Sequence, residues 1–225
     1  MKKSDDGKIT FYPDTHEYFD SRGNKFLSVT TALKRFFPFA DQEIAERVSQ
    51  TPSSIYFGQK IETILATWEA TAPCGTGLHG ACERWIKTGE IAKGEHENGA
   101  MNFAKFMKSL CPRQDLRSEL VVYDIESRLA GTLDLFQDAG DLFYLWDIKT
   151  SRKIDDMKLL QYSMQLELYR RLAQQNYGKP VCIRGILWFE GYFKNKEARL
   201  KILDTVPCDQ EVDALLERRK KELAA

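Results

Sequence analysis

The chain has no apolar run long enough to cross a bilayer, because a spanning helix needs about 20 mostly apolar residues. Its first residues, MKKSDDGK, contain no apolar core of a signal peptide. They are also too acidic and too poor in arginine for a transit peptide. These absences make the cytoplasm the expected location and predict no membrane partner.

The chain also has no excess of charge, since 33 lysines and arginines balance 33 aspartates and glutamates. A nucleic-acid partner would therefore have to bind in a local groove, because the protein as a whole has no basic field. The sequence contains no internal repeat and no low-complexity tract. It also lacks the G-x-x-x-x-G-K-[ST] motif, so no helicase motor is built in.

Paired cysteines are absent as well. The five cysteines are odd in number, widely spaced and never arranged as C-x-x-C. Neither a disulfide framework nor a zinc site is expected, and the thiols are predicted to be reduced. They are Cys74, Cys82, Cys111, Cys182 and Cys208.

The composition that is present is that of a globular protein, with 43% hydrophobic and 29% charged residues in 225 positions. Residues 1–40 predict a β-meander followed by a short helix, and residues 41–112 a helical region. Residues 113–208 predict strands around one long helix, and residues 209–225 a final helix. This order predicts a single α/β domain with a mixed central β-sheet flanked by helices.

A β-hairpin carries the most informative polar residues. Its predicted strands run from Leu129 to Gln137 and from Leu142 to Thr150. Because side chains alternate along a strand, Asp147 and Lys149 share a face, and Asp134 approaches them from the neighbouring strand. Two close carboxylates are costly to bury without a cation, and a divalent metal is the simplest candidate. The alternative, a strand that leaves the core with two solvated charges, stays open at this point.

A helix that precedes the hairpin offers further site residues. His79 and Glu83 are four apart on a helix that the Gly75–Gly77 segment is expected to introduce. An imidazole with two carboxylates suits Mn²⁺ and is acceptable for Mg²⁺. The alternative for the histidine is a packed or solvated side chain.

The long helix after the hairpin carries a single polar row beside an apolar one. Amide and phenol groups in such a row can orient Lys149 or hydrogen-bond a phosphate or a base. The alternative is a solvated helix flank. The row consists of Gln161, Gln165 and Tyr169.

Taken together, these motifs resemble the PD-(D/E)XK nuclease superfamily, and within it the RecB-like nucleases. The segment GTGLHGACERW resembles their GT-x-x-H-x-x-x-E helix, and SELVVYD, which contains Glu119, resembles their first core strand. GTLD and DIKT resemble their second and third strands, and Gln165 to Tyr169 is similar to their Q-x-x-x-Y helix. KFLSVTTALKRFF is similar to the SVT segment of phage exonucleases and of the mitochondrial genome maintenance exonuclease.

The resemblance implies a role for each matching residue. It implies metal ligands at His79, Asp134, Asp147 and the backbone carbonyl of Ile148. Lys149 would orient or deprotonate the attacking water, and Asp134 and Asp147 would share the catalytic role through the bound metal. Supporting or DNA-binding roles fall to Glu83, Glu119, Gln161, Gln165 and Tyr169.

The resemblance further implies a Mg²⁺- or Mn²⁺-dependent DNA exonuclease that acts on single strands or free ends. Recombination, repair or phage DNA processing would be its setting, in a bacterial or phage-infected cell, and recombination proteins its possible partners. The alternatives are an endonuclease, a non-catalytic nucleic-acid-binding module of a recombination or defence complex, and a metal hydrolase of nucleotides. The iron–sulfur branch of the family clusters three cysteines near the C-terminus, and this chain does not, so no iron–sulfur cluster is expected.

Overall fold

The computed structural model describes residues 1–36, 41–69, 72–192 and 199–224, without the side chains of 41–44, 69 and 72–74. The strands are β1 (Lys2–Lys3), β2 (Ile9–Tyr12), β3 (Glu17–Asp20), β4 (Lys25–Ser28), β5 (Leu116–Arg117), β6 (Leu120–Asp124), β7 (Leu129–Leu133), β8 (Leu135–Asp138), β9 (Phe143–Lys149), β10 (Val181–Glu190) and β11 (Arg199–Leu203). The helices are α1 (Val29–Phe36), α2 (Asp41–Gln50), α3 (Ile61–Glu69), α4 (Ala72–Thr88), α5 (Glu97–Leu110), α6 (Asp156–Tyr177) and α7 (Asp209–Ala224). Among these helices none is both long and apolar enough to cross a membrane.

The strands form two mixed sheets with helices packed on them, so the predicted α/β class is confirmed. The first sheet has the order β1-β2-β3-β4-β7-β6 and contains the predicted N-terminal meander. The second has the order β11-β10-β9-β8-β5. Strands β4 and β7 pair in parallel, as do β9 and β10, and the other neighbours are antiparallel.

The first strand of the predicted hairpin is not continuous. It is interrupted at Asp134, so that β7 belongs to the first sheet and β8 to the second. The antiparallel register of β8 with β9 pairs Leu135 with Trp146. Beyond this pair, the Asp134 side chain accepts the backbone N–H of Ile148 at 2.9 Å. The interruption removes Asp134 from the regular ladder and leaves its side chain free to serve a site where the two sheets meet.

Side chains alternate between the two faces of a strand, and β9 has buried apolar residues at both sets of positions. The second sheet is therefore buried on both faces. Phe143 and Leu145 belong to a core shared with α1, α6 and α7. Trp146 and Ile148 belong to a second core, shared with α4 and α5. Asp147 follows Leu145 on the face that α6 covers, which confirms the predicted alternation.

Helix α6 is fixed at both ends by local signals. The Asp155 carboxylate accepts the backbone N–H of Lys158 at 3.0 Å, which caps the N-terminus. Gly178 ends the helix with a φ of 64°, a left-handed conformation that glycine adopts without strain. Its predicted apolar row is buried through Met164, Leu168 and Leu172. The helix therefore holds its neighbouring polar row at a defined position over the sheet.

Strand β7 and helix α6 approach each other most closely at Gly131. A Cβ atom at this position would overlap with the Tyr169 ring, and it would lie 3.1 Å from both the ring Cζ and the hydroxyl oxygen. Tyr169 is buried and cannot swing into solvent. Only glycine therefore lets the tyrosine lie against this strand.

We expect Gly131→Ala to destabilise the protein by about 1–3 kcal/mol, because overpacking a filled core forces neighbours to shift. The measurement is the free energy of unfolding in denaturant. Gly80→Ala in α4 is the matched control, since a Cβ atom there has nothing within 4 Å. That control should gain about 0.5–1 kcal/mol from helix propensity. Equal stability of the two variants would contradict the close approach.

Candidate active site

A histidine from α4 meets an aspartate from the break between β7 and β8. His79 Nδ1 lies 3.6 Å from Asp134 Oδ1. The other carboxylate oxygen, Asp134 Oδ2, accepts the backbone N–H of Ile148 at 2.9 Å. Burial by itself raises the pKa of Asp134, but the charges of His79 and Lys149 outweigh it and lower the pKa to about 2. Burial lowers the pKa of His79, and Asp134 reverses this so that the pKa lies above its ordinary value.

The glycines before His79 lie inside α4, whereas the sequence predicted them to introduce the helix. The helix begins at Ala72 and includes both of them. A Cβ atom at Gly75 would lie 2.8 Å from the Thr150 hydroxyl oxygen, and one at Gly77 would overlap with the His96 ring. Because glycine removes these obstacles, α4 can lie directly against the end of β9.

Asp147, Lys149 and Gln165 form a connected polar group on the other side of the break. Lys149 Nζ lies 2.7 Å from Asp147 Oδ2 and donates a hydrogen bond to Gln165 Oε1 at 3.3 Å. The Gln165 amide donates to Asp147 Oδ1 at 3.4 Å. Burial raises the pKa of Asp147 to about 6, although Lys149 opposes this shift. Burial lowers the pKa of Lys149, but the two aspartates more than compensate and raise it.

The three members of the predicted polar row, Gln161, Gln165 and Tyr169, differ in their hydrogen bonds. The Gln165 amide also lies 3.4 Å from the Tyr169 hydroxyl, and burial raises the pKa of this tyrosine well above its ordinary value. Gln161, one turn earlier, is half-buried and has no side-chain hydrogen bond to any described residue. Hydrogen bonds therefore connect Gln165 and Tyr169 with the group around Asp147, and Gln161 takes no part in them.

Tyr162 is a site neighbour that the sequence reasoning missed. Its ring centroid lies 4.7 Å from Lys149 Nζ, which is the distance of a cation–π contact. Its hydroxyl is hydrogen-bonded to the Ser151 hydroxyl at 2.6 Å. The spacing in the sequence could have indicated this neighbour, because Tyr162 precedes Gln165 by three residues and so shares its helix face.

Glu83 and Glu119 are also brought together, by a residue that no motif indicated. Lys2 Nζ lies 2.9 Å from Glu119 Oε2 and 3.4 Å from Glu83 Oε1. Glu83 forms a second ion pair, with Lys87. Burial raises the pKa of Glu119, and the nearby charge of Asp134 adds to this shift. The two glutamates therefore form an acidic group next to the aspartates.

The side chains that meet here fit a divalent cation by their chemistry. Imidazole and carboxylate groups are suitable ligands for Mn²⁺ and Mg²⁺. Asp147 Oδ2 is buried, and its partner among the described residues is the ammonium of Lys149, in an ion pair at 2.7 Å. Within the described part of the chain, however, no three acidic, histidine or cysteine side chains surround a common point. A metal held by His79, Asp134 and Asp147 would therefore need these side chains to move closer together.

Comparison with known proteins gives one result that applies to most of the chain. The family model of the PD-(D/E)XK nuclease superfamily matches residues 40–225. A search of curated proteins gives no match. The matched region contains the helix with His79, the break at Asp134, the strand with Lys149 and the helix with Gln165. Nucleases of this kind act on nucleic acids with the help of divalent metal ions, and the chain belongs to the PD-(D/E)XK nuclease superfamily.

Proposed function

We propose that this nuclease is a DNA exonuclease that depends on Mg²⁺ or Mn²⁺ and acts on single strands or free ends. The observation that carries the proposal is the meeting of His79 and Asp134 with Asp147 and Lys149 at the end of β9. These residues come from three separate parts of the chain. No single structural role accounts for an imidazole and two buried carboxylates at this point.

His79, Asp134 and Asp147 would hold the metal, with the Ile148 carbonyl as a further ligand. A bound divalent ion lowers the pKa of a coordinated water from about 16 towards 7–9 and polarises the scissile phosphate. Asp134 is suited to this role because its low pKa keeps it ionised. Its hydrogen bond from the Ile148 amide fixes one carboxylate oxygen and leaves the other directed towards His79.

Lys149 would orient the attacking water and stabilise the negative charge that develops on the phosphate. Gln165 and Tyr162 hold its ammonium group from two sides, so that it is positioned before substrate arrives. Tyr169 supports Gln165 in turn. The expected products carry 5′-phosphates, as the family resemblance implies.

The proposed preference for single strands rests on the segment before α4. Phe57 is 56% exposed and lies between α2 and α3. An exposed aromatic ring of this kind is suited to stacking on a base, and Lys60 nearby is suited to contact the backbone. Tyr56 instead packs edge-on against Trp68, with ring centroids 5.9 Å apart. Phe57 is therefore the better candidate for a contact with a single strand.

We expect Asp134→Asn to weaken Mn²⁺ binding by at least about 100-fold, since outer-shell changes alone cost 10–100-fold. Isothermal titration calorimetry measures this directly. Asp141→Asn, an exposed aspartate in the turn of the same hairpin, is the matched control and should bind like the parent. Equal affinity of Asp134→Asn and the parent would remove Asp134 from the ligand set.

We expect Lys149→Met to retain metal binding and to lower kcat on the order of 10²–10⁴-fold, the range typical of a lost proton-transfer or water-positioning group. Single-turnover cleavage of labelled DNA with Mn²⁺ measures the effect. Lys179→Met is the control, because Lys179 also lies over an aromatic ring, 4.9 Å from the centroid of Phe143, but at the opposite end of β9. Comparable losses in both variants would argue against a specific role for Lys149.

Cleavage of linear DNA with resistance of circular DNA is the expected result for an end-directed enzyme. The measurement compares a linear single strand with its ligated circle at equal concentration and with Mn²⁺ present. Equal degradation of both would make the protein an endonuclease. Binding without cleavage would favour a non-catalytic module, and hydrolysis of mononucleotides alone a nucleotide hydrolase.

A further inference from the structure

The acidic group beside the proposed metal ligands already has a cation of its own. The ammonium of Lys2 lies between Glu119, which precedes β6, and Glu83, which belongs to α4. Burial lowers the pKa of Lys2, but the two glutamates raise it above its ordinary value, so the ammonium stays charged. The lysine side chain is 31% exposed and each glutamate side chain 21%, so this contact is partly withdrawn from water.

The segment that carries Lys2 is attached firmly on both sides. Strand β1 pairs with β2, with Lys2 opposite Phe11. Both carboxylate oxygens of Asp5 accept hydrogen bonds from Arg117, at 2.8 and 2.7 Å. The Tyr123 hydroxyl donates to Asp6. These contacts hold the backbone around Lys2 and direct its side chain to the glutamates.

The position of the glutamates gives the lysine a chemical role. The charge of Asp134 contributes to the raised pKa of Glu119, so the pair of glutamates bridged by Lys2 lies within electrostatic range of a proposed metal ligand. Oxygen ligands of this kind attract Mg²⁺ and Mn²⁺, and a site with two divalent ions is a common arrangement for phosphodiester cleavage. The Lys2 ammonium between the two glutamates compensates their negative charge without a metal.

We propose that Lys2 is a tethered cation that takes the place of a second divalent ion at Glu83 and Glu119. The nuclease then binds one divalent ion, in the pocket of His79, Asp134 and Asp147. This inference rests on the proposed function, because it presupposes a metal in that pocket. It assigns to the N-terminal strand a part in setting the metal content of the site.

The test is the number of Mn²⁺ ions bound per chain, measured by electron paramagnetic resonance during titration of the metal-free protein. The parent should bind one ion. Lys2→Met, which keeps the apolar stem and removes the charge, should bind two. Lys2→Met combined with Glu119→Gln should return to one, because the second ion loses a ligand. Lys3→Met is the matched control, since Lys3 is the exposed neighbour on the same strand, and it should bind one.

The outcomes separate this inference from the proposed function. A parent that binds no Mn²⁺ would overturn both. A parent that binds one ion, together with a Lys2→Met variant that also binds one, would overturn the role of Lys2 alone. Crystals of the unchanged protein soaked in Mn²⁺ give a second reading that needs no variant. One anomalous peak beside His79 is expected, and a further peak between Glu83 and Glu119 would refute the inference.

Discussion

The burial of two neighbouring carboxylates in the interior governs how the elements around the site are arranged. Asp134 accepts the backbone N–H of Ile148, next to Asp147 in β9, and Asp147 is only 1% exposed. Burying like charges this close is unfavourable unless each is compensated. The chain provides that compensation from several elements: an imidazole from α4, an ammonium from β9, an amide from α6 and a backbone N–H from β9 itself.

The two carboxylates are compensated differently, and Asp147 has fewer hydrogen bonds at one of its oxygens than at the other. Asp147 Oδ2 has no hydrogen bond, and burial raises the pKa of this carboxyl to about 6. The ammonium of Lys149, 2.7 Å away, compensates the charge of this oxygen. Under the proposed function, a bound divalent ion would take over that compensation. Apolar cores cover the sheet on either face of this polar group.

The junction of the two sheets explains why so many elements reach one site. The chain leaves the first sheet after Leu133 and enters the second at Leu135, so Asp134 lies at the passage between them. Gly131 lets Tyr169 approach on one side, and Gly75 lets α4 approach on the other. The N-terminal strand extends the first sheet and brings Lys2 to the same region. The residues proposed for metal binding and water activation and the acidic group of Glu83 and Glu119 thereby lie at one sheet boundary.

Alternation along a strand and periodicity along a helix are local properties, so the α/β class, the shared face of Asp147 and Lys149 and the polar row of α6 could be predicted from the sequence. It also identified the motifs that place the chain in its superfamily. Three features could not be predicted in this way and follow from the folded arrangement: the strand break at Asp134, the position of the glycines within α4, and the contact of Lys2 with Glu83 and Glu119. These features depend on contacts between distant parts of the chain. Lys2, for example, lies more than 80 positions before each of its glutamate partners, and a local sequence pattern does not predict such a contact.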